Sequence, residues 1–320
     1  MSAAGRRSGS RWRTVVRFAV PTVFLAVVAV GLVGALRTQD WSLALTLLQP
    51  DNLGLVGAAF AANTVAMVFS WLAWRALLVD LGGPVDTVTS ARIYFVGFLA
   101  KFAPGRFWPL LANIRMGSAA GVTGPRMATV YVLSMVISSL VGLTVGLAAA
   151  PAVLGAATLA LALAALPVAA GLIWPDLVNR AARGAARLLR RPAPQVAAST
   201  AGLRRSIVAQ LSCWLAAGAQ LWLLAIAQGA PPLPALPIGV GAFALATVAG
   251  VAVVLAPDGL GVREGILLVA LATVLPLPAA GIVVIASRLV CTLSEIAAAG
   301  AALLLAEVVK RRQYHYASAR

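Results

Sequence analysis

MATVYVLSMVISSLVGLTVGLAAAPAVLGAATLALALAALPVAAGLIWP, residues 127–175, contains no Asp, Glu, Lys or Arg. Crossing a bilayer as a helix takes about 20 predominantly apolar residues. The stretch is therefore long enough for two spans, with Pro151 marking the expected turn between them. Outward from it the pattern repeats. Ser206–Pro257 is uncharged, and the Pro231-Pro232-Leu233-Pro234 cluster divides it into two more spans. Phe18–Leu36 and Leu53–Trp74 are single apolar runs on the N-terminal side, and Ala279–Ala306, with Arg288 and Glu295 inside it, is the last. Gly265–Leu275 is apolar but short. It must cross as a thin or tilted element, or dip in and be completed by its neighbours. The expectation is an all-α polytopic integral membrane protein of about eight transmembrane helices, with one or two re-entrant or broken elements.

Composition points the same way. Of 320 residues, 61% are hydrophobic and 11% charged, and the mean hydropathy is +0.95. A soluble domain is nearer half apolar and a quarter charged, so a soluble, disordered or disulfide-framed chain is excluded. The balance of 25 basic to 9 acidic residues gives +16. The basic residues lie between and beside the apolar runs, so this charge reports membrane topology and not nucleic acid. Cys213 and Cys291 both sit inside apolar runs and read as small buried residues. His315 lies in a polar tail without clustered partners, so no metal is expected. No Gly-Lys-Ser/Thr and no Gly-x-Ser-x-Gly occurs, so neither ATP hydrolysis nor serine catalysis is expected. The chain reads as a non-enzyme without cofactors.

Loop charge sets orientation. Arg6, Arg7, Arg11, Arg13 and Arg17 precede the first run, and Lys310, Arg311 and Arg312 follow the last. Between Asp176 and Arg205 stand Arg180, Arg183, Arg187, Arg190, Arg191, Arg204 and Arg205. The turns at Pro151 and Pro231 carry no charge. The expected organisation is a basic cytoplasmic N-terminus (1–16), a membrane domain (17–309) with a cytoplasmic basic loop (176–205), and a cytoplasmic tail (310–320). Phe18–Leu36 reads as an uncleaved first helix, being too long for a typical export signal and followed by further spans. The basic loop either lies solvated or, as a helix, lays a cationic face on anionic lipid. For the count to close, Ala91–Gly117 must begin and end on the cytoplasmic side as a re-entrant hairpin.

Charge at membrane depth is costly and marks candidate function. Two constellations stand out. In the first, Lys101-Phe102-Ala103-Pro104-Gly105-Arg106-Phe107-Trp108, Pro104 and Gly105 break a helix between two cations, and Arg115 follows. Freed amides beside Lys101 and Arg106 suit a phosphate, since arginine can hold two oxygens at once. The alternative is a cytoplasmic turn with snorkelling cations and an interfacial tryptophan. The second is Pro257-Asp258-Gly259-Leu260-Gly261-Val262-Arg263-Glu264-Gly265, another glycine-rich break carrying both signs of charge. Arg288 and Glu295 share a helical face beyond it. These charges either bind a ligand or neutralise one another as internal pairs. Both breaks read Ala-Pro, then Gly, then Arg, which suggests a duplicated half. Loop charge places both on the cytoplasmic side, against a simple inverted repeat. Gly142-x-x-x-Gly146 reads as close helix packing.

These two stretches, with Arg288 downstream, resemble the lysylphosphatidylglycerol synthase transmembrane-domain family, the flippase-like membrane half of bacterial aminoacyl-lipid synthases. The likeness extends over roughly Val15–Val309, and Pro-x-Gly-x-Gly-x-Arg-Glu is its more specific part. In full synthases a soluble aminoacyl-transferase domain follows the membrane part. This chain stops soon after Lys310, so a stand-alone member without that domain is expected. Related membrane regions also occur fused to glycosyltransferases. The resemblance implies a bacterial inner-membrane protein, N and C termini cytoplasmic, that translocates an anionic phospholipid, glycolipid or polyprenyl-linked sugar. Lys101, Arg106, Arg115, Arg263 and Arg288 are the candidate phosphate ligands. Pro104, Gly105, Pro257, Gly259 and Gly261 make the breaks, and Asp258, Glu264 and Glu295 are charge partners. The alternative is a non-transporting accessory subunit of a lipid synthase or glycosyltransferase.

Overall fold

The structure, a computed structural model, describes residues 42–102, 108–154, 198–252 and 259–318, with isolated positions between 163 and 184. The Phe18–Leu36 run, the N-terminal arginines and most of the basic loop lie outside the described residues. The helices are α1 (Ser42–Thr46), α2 (Pro50–Gly82), α3 (Thr87–Leu99), α4 (Trp108–Ala119), α5 (Gly124–Leu154), α6 (Thr200–Ala227), α7 (Pro232–Ala252), α8 (Val262–Leu271) and α9 (Leu277–Ser318). A 3-10 turn, Ala100–Phe102, extends α3. Among the described residues there is no strand. Among the described residues, α2, α5, α6, α7 and α9 are the 5 helices long and apolar enough to cross a membrane. The protein is all-α and polytopic.

Polar groups at the helix ends fix how the helices run. Asp80, near the end of α2, accepts from the backbone N–H and the hydroxyl of Ser199. Ser199 in turn caps α6, its Oγ accepting from Gly202 N at 3.0 Å. At the opposite end Gln228, just past α6, donates to Leu43 O at 2.9 Å and Thr46 Oγ1 at 2.8 Å. α2 and α6 are thus antiparallel and packed along their length, with Leu77, Leu78, Leu203, Leu221 and Leu224 fully buried. The end where α2 finishes and α6 starts carries Arg75, Arg92, Arg204 and Arg205; it is called the arginine-rich end below. Arg204 and Arg205 sit in the first turns of α6, so helix begins inside what loop charge alone assigns to the basic loop.

Small residues let α5 approach α6 and α7. A Cβ on Gly142 would come within 2.7 Å of Trp214, and one on Gly146 would collide with Leu245. Trp214 Nε1 donates to Ser138 O at 3.0 Å across the same contact. The Gly142/Gly146 pair is a packing motif, as its spacing predicts. Pro151 does not end the helix. α5 continues to Leu154, because a proline removes a single i to i−4 bond, which a lipid-embedded helix survives when its neighbours support it.

Two helical hairpins interrupt the bundle. α3 starts at the arginine-rich end, where Asp86 caps it (Thr89 N to Asp86 Oδ1, 2.9 Å) and Arg75 of α2 reaches Thr87 and Ser90. It runs inward past Ser70, whose hydroxyl meets Tyr94 at 2.7 Å. α4 then returns beside it, Gly97 lying against Asn113. The second hairpin enters from the other end. Gly142 of α5 faces Val248 of α7, and by helical rise α7 stops about 21 Å short of the level at which α5 begins. From there α8 turns back along α7, with Ile266 and Ala270 beside Ile238 and Ala242. At 10 residues α8 rises only about 15 Å, half a bilayer core. The Gly265–Leu275 run is therefore not a crossing but the returning arm of a broken element. This also corrects the placing of both breaks at the cytoplasmic side. Loop charge sees only the ends of helices, whereas the two hairpins open to opposite ends and the described residues flanking their turns, Lys101, Pro109, Gly250 and Gly259, line one cavity.

Candidate functional site

The described residues flanking both turns line a cavity of about 360 Å³, walled by α2 to α9 and by the 3-10 turn. Lys101, in the 3-10 turn ending α3, extends its Nζ to Glu295 Oε1 of α9 at 2.7 Å. Their side chains are 17% and 9% exposed, a depth at which a lone charge would carry a desolvation cost of several kcal/mol. Phe98 and Phe102 lie 4.5 and 5.2 Å from the ammonium, measured to ring centroids, and add cation–π attraction.

Arg263 comes from the second hairpin, in the first turn of α8. Its guanidinium stacks 4.9 Å over Phe243, and Nη2 points at Cys291 Sγ, 3.5 Å away. Cys291 continues to Asn63, and Asn63 donates to Ser294. One face of α9 thus links both hairpins through Cys291, Ser294 and Glu295. The local sequence explains how Arg263 reaches this depth. Gly259 and Gly261 hold φ of +69° and +88°, where side-chain-bearing residues are strained. A Cβ on Gly259 would also lie 2.5 Å from Gly250 Cα, so only glycine lets the break fold against α7. Glu264 then closes the turn by accepting from Gly261 N at 2.7 Å.

The structure gathers Lys101, Glu295, Arg263 and Gly259 at the cavity. It separates Arg288, whose Nη1 lies 3.3 Å from Glu264 Oε1 between α8 and α9, each side chain about a quarter exposed (23% and 24%). Arg288 and Glu295, which share a helix, therefore serve different partners, and Arg288 does not line the cavity. Arg115 sits on the exposed side of α4. Pro104, Gly105, Arg106, Pro257 and Asp258 lie outside the described residues.

The charged residues draw attention in the sequence, but much of the wall is neutral and polar. Asn63, Ser70, Tyr94, Asn113, Ser206 and Gln210 all face the cavity, as does Trp74. Polar side chains inside otherwise apolar spans were the available signal, especially Asn63 and Gln210. Trp74 Nε1, Asn113 Oδ1 and Ser206 Oγ are buried with no hydrogen-bond partner in the protein among the described residues. Burying such a group unpaired costs roughly 1–3 kcal/mol. No group of three His, Cys, Asp or Glu side chains that could hold a metal occurs among the described residues.

A family model described as Lysylphosphatidylglycerol synthase TM region matches residues 18–299. No curated protein matches the chain.

Proposed function

The chain belongs to the lysylphosphatidylglycerol synthase TM-region family, and from that premise we propose that it moves an anionic lipid or lipid-linked sugar across the membrane. The observation that carries this reading is the meeting of two oppositely entering hairpins at a buried cavity holding Lys101, Arg263 and Glu295. A headgroup crossing about 30 Å of hydrocarbon needs a polar shelter and counter-charge. The cavity offers both, while the acyl or prenyl tails remain in the bilayer. The phosphate engages Lys101 and Arg263 and competes with Glu295 for the ammonium. The hairpins enter from opposite ends, and in this reading displacing either one opens the cavity to one leaflet, as alternating access requires. The arginine-rich end faces the cytoplasm in this reading. The protein performs no covalent chemistry, and transport is downhill or ion-coupled.

Vesicles containing only this protein and a fluorescent anionic phospholipid test it. Protein-dependent headgroup movement, lost in Lys101→Gln, is expected. Movement no faster than in empty vesicles, across phospholipid and lipid-linked sugar substrates, overturns transport and leaves an accessory role beside a lipid synthase or glycosyltransferase.

A further inference from the structure

We propose that α9 is a lever shared by the two hairpins, and that Asn63 of α2 is the positioning residue that holds it at one rotational setting. Loss of the Lys101 contact at the first hairpin is then felt at the thiol that meets the second. The proposal deepens the reading of the cavity as a headgroup site, because it links the two sides of that site.

The link lies on the inner face of α9. Cys291, Ser294 and Glu295 stand at i, i+3 and i+4, so they share one face within about a turn. Cys291 Sγ accepts from Arg263 Nη2 at 3.5 Å, and Glu295 Oε1 holds Lys101 Nζ at 2.7 Å. The backbone hydrogen bonds of a helix join these positions into one body. A rotation that withdraws Glu295 from Lys101 therefore also carries Cys291 away from its present place beside Arg263.

Asn63 fixes that rotation. Its Nδ2 donates to Ser294 Oγ, and its Oδ1 accepts from Cys291 Sγ at 3.6 Å. One amide on α2 thus grips α9 at two positions. The Ser294 hydroxyl is turned to its own helix, towards Val290 O and Cys291 O, both at 2.9 Å. Its oxygen is left to accept from Asn63. Asn63, Cys291 and Ser294 are all buried.

The setting is held without being locked. Hydrogen bonds through sulfur are weak. One turn along α9, Ser287 Oγ donates to Gln220 Oε1 of α6 at 3.3 Å, while Gln220 Nε2 is buried with no partner among the described residues. An unmet buried donor counts against the present setting. Towards α3, α9 offers Ala299 and Ala302, packed with Phe95, a contact with little to interlock. A weak clasp, an unmet donor and small side chains make α9 the element poised between two settings. An element of that kind, biased from both sites, is what coupling between them requires.

The two native cysteines test this. Both line the cavity, but Cys213 belongs to α6 and stands outside the lever. The full chain in nanodiscs is reacted with methyl methanethiosulfonate, and the labelling rate of each thiol is read by peptide mass spectrometry. Lys101→Met should raise the Cys291 rate at least about fivefold, the low end of ordinary coupling between sites, and leave Cys213 unchanged. Glu295→Gln breaks the same contact from the α9 side and should do the same, so the test decides even if Lys101→Met does not fold. Lys101→Arg can still pair with Glu295 and should return Cys291 to the rate of the unaltered protein. Ser294→Ala removes one end of the Asn63 grip, leaves the Cys291 end in place and should also raise the Cys291 rate. An unchanged Cys291 rate in Lys101→Met and Glu295→Gln overturns the lever. An equal rise at both thiols overturns it too, since that is a general opening of the cavity. An unchanged rate in Ser294→Ala overturns the role of Asn63. Labelling needs no transport, so a protein that moves no headgroup still decides the lever, and failure of the one reading is distinct from failure of the other.

Discussion

Lys101 and Glu295, 194 positions apart in the chain, meet at 2.7 Å and tie the tip of the first hairpin to the last helix. Arg263, from the second hairpin, contacts the same face of that helix one turn away at Cys291. The described residues beside the two breaks are thus joined through α9.

Removing one partner of the Lys101–Glu295 pair strands the other in a low-dielectric interior. Lys101→Met and Glu295→Gln should each cost roughly 3–5 kcal/mol, read as a lowered unfolding temperature. The double variant should recover most of that loss yet remain inactive in headgroup movement. Full activity in the double variant would make the pair purely structural.

Arg288 belongs to a different pair. Its contact with Glu264 is partly exposed (23% and 24%), so Arg288→Gln should cost only about 1–2 kcal/mol, between surface and buried limits. Combining it with Glu264→Gln should restore part of the loss, because the introduced amide oxygen can still accept from the Gly261 N–H. Combining it with Glu295→Gln should be additive, since Glu295 has Lys101. Rescue by Glu295→Gln instead would show that the α9 charges act as one network.

Gly259→Ala should be among the most damaging small changes. The new Cβ meets Gly250 Cα at 2.5 Å, and φ at +69° is unfavourable for alanine. A loss of at least about 2 kcal/mol is expected from overlap and strain. Gly300→Ala, on open helix in α9, should be neutral or mildly stabilising. Equal tolerance, measured as recovery of monodisperse protein after heating, would contradict the tight α7–α8 approach.

Sidedness can be read by labelling. Ser199 caps α6 and is bound by Asp80, so one cysteine is placed at exposed Ala201 and its counterpart at Leu233, 84% exposed in the first turn of α7 at the other end. In a background without Cys213 and Cys291, an impermeant reagent should label Leu233→Cys in intact cells and Ala201→Cys only after lysis. The reverse pattern would invert the topology.

The cap of α3 gives a pH signature. The hydrogen bond from the Thr89 side chain, followed by that from the Thr89 backbone, holds the Asp86 carboxyl below its ordinary value of 3.8. A depressed folded value means the stabilisation is complete above the unfolded pKa and is lost as pH falls through the folded one. Unfolding temperatures of the unaltered protein and of Asp86→Asn should therefore stay parallel at neutral pH. Below about pH 4 the unaltered protein should lose ground. Asp86→Ala should cost about 1 kcal/mol at neutral pH.

What the sequence alone determines here is what depends on one segment at a time. Uncharged runs long enough for the bilayer dictate helices, since no other element satisfies its backbone in lipid. Proline with glycine marks candidate breaks near residues 104 and 257, although Pro237 and Gly239 at the same spacing stay inside α7. Lys101, Arg263 and Glu295 are conspicuous because charge in an apolar run is expensive. Which charge answers which is settled only by tertiary structure. Arg288 and Glu295 are helix-mates by periodicity, yet their partners come from α8 and from the α3 tip, because those elements pack on different faces of α9. The direction of the second hairpin was equally hidden. Loop charge orients whole crossings, and a helix that stops mid-depth leaves no charged loop to count. The unmatched Trp74, Asn113 and Ser206 groups were invisible for the same reason: each is ordinary in its own helix, and only packing makes them face one buried space.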